Sequence, residues 1–110
     1  MALLKALLTA LLPTGPDSRA QTLVSVAVFI RALNDPSLAE RYRQGRTQLT
    51  AAVAGLVRMA APAEDEDIEL AADTLLALVD GLASDLLLGH LTTERALAIL
   101  DRRLSNGRDP

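Results

Sequence analysis

Four groups of residues in this 110-residue chain have the types from which sites are built. They are the lone histidine His90, the acidic run Glu64-Asp65-Glu66-Asp67, the pair Asp73 and Asp80, and the single tyrosine Tyr42. His90 follows Gly89 where a helix is expected to end, so its ring can bond last-turn carbonyls whether neutral or charged. The chain has no cysteine and no inward pair of carboxylates near His90, so a metal site lacks ligands. The acidic run precedes a long apolar stretch. Carboxylates there complement a helix dipole, and four adjacent side chains fan out around a helix instead of converging on a cation. Asp73 and Asp80 share a helix face two turns apart, about 10 Å by helical rise. That is too far for a proton-sharing dyad and suits two separate surface ion pairs. The Tyr42 hydroxyl needs a partner if buried and could then orient a ligand; it can equally reach solvent from a core edge. No nucleophile elbow, phosphate-binding glycine loop or Cys–His pair is present. The chemistry read from these residues is non-enzymatic: no catalytic residue, no metal, no cofactor.

Composition explains what the chain is built for instead. Half of the residues are hydrophobic, but only 2% are aromatic. Leu and Ala dominate, and both favour helix. A sandwich or barrel would call for more β-branched and aromatic residues. The length fits one domain with a real core, spanning residues 1–110. The absence of cysteine suits a reducing cytoplasm. The net charge of −3, with Arg102-Arg103 as the only adjacent basic pair, argues against nucleic-acid binding by this chain alone. Mean hydropathy is +0.25, yet no stretch reaches the roughly 18 apolar residues of a membrane span. The opening Met1-Ala-Leu-Leu-Lys-Ala-Leu-Leu faintly resembles a signal peptide but lacks an Ala-x-Ala cleavage site; an amphipathic helix accounts for it better. Lys5 alone does not make the basic face that a membrane-surface helix requires.

The spacing predicts five helices. The first covers 2–12, with Leu3, Leu4, Leu7, Leu8, Leu11 and Leu12 on one side and Lys5 and Thr9 on the other; Pro13-Thr14-Gly15-Pro16 ends it. The second opens at Pro16-Asp17 and runs to about 33. Its middle, Leu23 to Ile30, is apolar nearly all round, and a strand is conceivable there on propensity alone. Helix is favoured because the start signal lies two turns earlier and no second strand exists to pair with it. Asp35 caps the third helix, 36–60, whose buried face is Leu38, Tyr42, Leu49, Val53, Leu56 and Ala60. The fourth runs 66–88. Thr92 caps the fifth, 92–105, with Leu91 as a hydrophobic staple, and Gly107 can end it.

The fourth helix carries more apolar surface than one neighbour can cover. Ile68, Ala72, Leu75, Val79, Leu82 and Leu86 form one stripe. Leu70, Ala77, Gly81 and Leu88 form a second, separated from the first by Asp73, Asp80 and Ser84 on one side and by Thr74 and Asp85 on the other. A helix on the outside of a globule needs only one such stripe. The small residues at 77 and 81 allow a close approach, so the second stripe predicts a homodimer. The fifth helix adds Ala96 and Ile99 to the interface. Two helices from each copy then make an intersubunit four-helix bundle, with the same surface serving both partners.

Leu78-Val-Asp-Gly-Leu-Ala, followed by Leu91-Thr-Thr-Glu-Arg-Ala-Leu-Ala-Ile-Leu-Asp101, resembles the C-terminal part of the tetracycline-repressor (TetR) family of transcriptional regulators. Leu11-Leu-Pro13 and Ala32-Leu-Asn-Asp-Pro-Ser-Leu38 resemble helix junctions in one branch of that family, so the likeness covers nearly the whole chain. The resemblance implies an all-α regulatory domain, dimeric through 66–88 and 92–105, whose remaining helices enclose a pocket for a small apolar effector. In the family, effector binding changes the separation of two N-terminal helix-turn-helix domains and releases DNA. This chain departs from the pattern: no helix-turn-helix precedes the first helix, so DNA binding would need a domain absent from it. If the pocket exists, the bundle interior lines it with Val26, Phe29, Ile30, Tyr42, Leu49, Val53, Leu75 and Val79. Each of these residues is also what a filled core needs. The competing reading is therefore a ligand-free helical homodimer or protein-interaction module.

Overall fold

In the computed structural model, which describes residues 2–60 and 68–106, the described residues form five α-helices and no strand. They are α1 (Ala2–Ala10), α2 (Pro16–Ala32), α3 (Pro36–Ala60), α4 (Ile68–Leu88) and α5 (Thr93–Asn106). The stretch 23–30 is helical, as the upstream start signal requires. The acidic run 64–67, the start of the fourth helix at 66–67, Gly107 and the tail beyond it lie outside the described residues.

The helix ends follow their local chemistry. At the start of α2 the Ser18 hydroxyl accepts the Gly15 N–H at 2.9 Å and donates to the Gly15 carbonyl at 3.1 Å. Asp35 Oδ1 accepts the Leu38 N–H at 3.2 Å, and Thr92 Oγ1 accepts the Arg95 N–H at 3.1 Å, so both sequence-read caps are made. Gly89 ends α4 at φ +75°, where a side chain would be strained, and the His90 N–H bonds the Asp85 carbonyl at 2.9 Å. The first helix is shorter than the leucine pattern suggests: it ends at Ala10, and Leu11 and Leu12 continue as a turn.

The core is built by four of the helices. Leu4, Leu8 and Leu12 meet Val53 and Ala54 of α3, the inner stripe of α4, and Ala96, Leu100 and Leu104 of α5. Leu7, Leu11, Leu49, Leu56, Leu91, Leu97 and Ile99 pack around them. No α2 residue belongs to this cluster. The principal helix contacts are α3 with α4, α1 with α3, α4 with α5 and α1 with α5, while α2 packs chiefly on α3. The radius of gyration is 14.6 Å, above the about 13 Å of a compact chain of this size. The extents of 42 × 32 × 18 Å describe a slab about two helix layers thick.

Two packing expectations are corrected. Leu23–Ile30 is not the interior of the bundle: Ala32 is the only buried residue of α2, and Leu23, Val24, Val26, Phe29 and Ile30 are exposed. The reason lies in the sequence. Apolar residues at nearly every angle give α2 no dominant face; Ser18, Thr22 and Val28 are half-buried, Ala32 is buried, and Phe29 meets Tyr42 of α3. Thr9, assigned to the polar side of α1, instead has its hydroxyl oxygen buried, with no partner among the described residues.

Candidate dimer face and effector groove

α4 splits as its two stripes require. Ile68, Ala72, Leu75, Val79 and Leu82 are buried and Leu86 is half-buried. Leu76, in neither stripe, is also buried, at the border toward Asp80. The opposite face carries Leu70, Ala77, Gly81 and Leu88, all exposed; Leu70 is 60% and Leu88 81% exposed. A Cβ added at Gly81 would meet nothing within 4 Å. Among the described residues of one copy, no contact asks for glycine there, although glycine inside a helix costs about 1 kcal/mol against alanine.

The α5 residues assigned to the same face divide. Ile99 is half-buried at the edge of the core and still borders the outside. Ala96 is fully buried in the protomer's own core, so it offers no surface to a second copy. Ala96 lies one turn before Leu100 on the Leu100–Leu104 stripe and goes in with it, while Ile99, on the flank of that stripe, stays at its edge.

Polar contacts frame the α4 face. Arg46 of α3 donates to Asp80 from Nη2 to Oδ2 at 2.8 Å and from Nη1 to Oδ1 at 3.5 Å. This is one of the two surface pairs read from Asp73 and Asp80; among the described residues Asp73 has no basic partner within 4.0 Å. Arg46 itself was not singled out in the sequence, because α3 carries several arginines and nothing in their spacing favours one. Lys5 pairs with Asp101 at 2.8 Å, joining α1 to α5.

The residues assigned to an effector pocket fall into two sets. Val53, Leu75 and Val79 are buried in the common core, and Leu49 packs against it half-buried. Val26, Phe29, Ile30 and Tyr42 lie on the α2–α3 pair and are exposed. Phe29 and Tyr42 meet there with ring centroids 5.6 Å apart and tilted by 55°, within the range of favourable aromatic contacts. The structure therefore does not bring the eight residues around one enclosed interior. A separate open cleft runs along α3, lined by Glu40, Arg43, Gln44, Thr47 and Gln48. These share one helix face, and their polarity makes it a solvated surface. Glu40 accepts from Arg43 at 2.6 Å, and that guanidinium holds its carboxyl below the ordinary glutamate range.

No described helix is long and apolar enough to cross a membrane, and among the described residues no three acidic or histidine side chains group as a metal site. Neither a curated protein nor a solved structure matches the chain. A family of transcriptional repressors does. The description of that family is BetI-type transcriptional repressor, C-terminal, and its model spans residues 1–107; the chain belongs to this family of TetR-type C-terminal domains.

Proposed function

We propose that the chain is the dimerisation and effector-binding part of a transcriptional repressor. Two copies associate through α4 and α5, with Leu70, Ala77, Gly81, Leu88 and Ile99 at the crossing. A small apolar effector is held where α2 leaves the bundle, against Val26, Phe29, Ile30 and Tyr42, with Leu49 at the edge of the core beneath. The observation that carries the reading is the outward face of α4: a row of apolar and small residues, two of them large leucines, that is exposed among the described residues. An isologous pair of such faces makes a four-helix bundle burying more than about 1,200 Å² in total.

One observation favours the ligand-free alternative. Val53, Leu75 and Val79 are 0%, 6% and 3% exposed, as in a filled core. Mass spectrometry of the purified chain under native conditions tests both parts of the reading. Dimer mass with a retained small molecule is the expected result. Dimer mass that no apolar compound shifts favours the ligand-free module, and monomer mass removes the dimer reading.

A further inference from the structure

Arg19, Leu23, Val26, Ile30 and Leu33 follow one another along α2 and its C-cap at spacings of four, three, four and three residues, so they form a single stripe. The four apolar members are 46%, 40%, 56% and 66% exposed, and none joins the common core. At the head of the stripe, Arg19 Nη1 donates to the Leu87 carbonyl in the last turn of α4 at 3.3 Å. That contact fixes where the guanidinium sits. It uses one of five N–H donors, and among the described residues no carboxylate lies within 4.0 Å of Arg19. The exposed aliphatic row thus has a positioned cation at one end. From Arg19 to Leu33 the helical rise spans about 21 Å.

We infer that this stripe binds an unbranched amphiphilic anion, with the alkyl chain along Leu23, Val26 and Ile30 and the acidic head on Arg19. The inference rests on the effector reading above and adds the shape and charge of the ligand. A row of aliphatic side chains suits a flexible alkyl chain. A quaternary ammonium is recognised by several aromatic faces, and this region offers one Phe–Tyr pair and a positive charge that repels it.

Titration calorimetry of the 110-residue chain with decanoate, decanol and decyltrimethylammonium, all below their micelle concentrations, tests it. Decanoate is expected to bind about fivefold more tightly than decanol, the size of an exposed charge contact, and decyltrimethylammonium most weakly. Arg19→Gln removes the decanoate advantage and leaves decanol unchanged. Ile30→Glu, at an exposed position where the fold is indifferent, abolishes binding of both. Decyltrimethylammonium binding as tightly as decanoate overturns the inference, as does decanoate affinity untouched by Arg19→Gln or by Ile30→Glu. Decanol and decanoate binding equally also overturns it, while leaving an apolar effector site standing. If none of the three binds, the effector site falls with it. Binding to phosphatidylglycerol vesicles without binding to monomeric decanoate assigns the stripe to a membrane surface and contradicts the inference.

Discussion

The two halves of α3 stand in different surroundings. Its C-terminal half joins α1, α4 and α5, where Leu8, Val53, Ala72, Ala96 and Leu100 are each 0% exposed. Its N-terminal half pairs with α2, where six large apolar side chains from Leu23 to Leu33 remain in contact with water. Both regions are rich in Leu, Val and Ile. What separates them is pattern. In α1, α4 and α5 the apolar residues recur on one side of the helix, so burying that side satisfies the whole element. In α2 they occur at almost every angle, and no single neighbour can cover them. Hydrophobic content alone does not place a helix in a core; angular concentration does.

The largest effects that test this contrast are core truncations. Leu100→Ala should cost about 2–5 kcal/mol, since a fully buried leucine leaves a cavity, whereas Ile30→Ala should stay within about 0.5 kcal/mol. Urea denaturation of the two variants measures both. Equal losses would mean that α2 is buried in solution and the contrast is false. Next in size is Thr9→Val. The buried hydroxyl has no partner among the described residues, so removing it should stabilise the chain by about 1 kcal/mol, seen as a higher urea midpoint at unchanged slope. A destabilised Thr9→Val would mean that the hydroxyl is satisfied after all.

Smaller still are the exposed ion pairs. Asp80→Asn removes the Arg46 contact, whose side chains are 36% and 61% exposed, and should cost under about 1 kcal/mol, with less effect as salt is raised. A loss that salt does not diminish would show that the pair is more than a surface contact. The smallest effect belongs to Glu40. The hydrogen bond from Arg43, then its charge, lowers the Glu40 pKa. With the folded value below the unfolded one, this stabilisation is present above the unfolded pKa and is lost as pH falls through the folded value. A carboxyl titration followed by NMR should show a Glu40 midpoint below the ordinary value that rises in Arg43→Gln. An unchanged midpoint in the variant removes Arg43 as the cause.

Much of the fold was legible in the sequence because its signals are local. Asp35 and Thr92 announce helix starts, Gly89 announces an end, and the inner stripe of α4 follows the helical period, so all are read within a few residues. Less of the candidate site was legible. The outward position of Leu70, Ala77, Gly81 and Leu88 follows from their angular offset from the core stripe. The burial of Ala96 does not: it depends on how α5 rotates against α4, a tertiary choice that one helix cannot reveal. The exposure of Val26, Phe29 and Ile30 was hidden for the same reason, since a helix apolar on all sides has no inside until its neighbours are known. The Arg19–Leu87 contact joins residues 68 positions apart, and no local spacing announces it.

The central claim is that the outward face of α4 meets the same face of a second copy. Sedimentation equilibrium at micromolar concentration, on the native chain and on Gly81→Arg, tests it most directly. In one copy a side chain at position 81 meets open space, so the substitution should leave helicity intact. At a two-fold crossing it inserts bulk and an unpaired charge. The account predicts a dimer for the native chain and a folded monomer for Gly81→Arg. A native monomer, or a Gly81→Arg variant that stays dimeric, contradicts it.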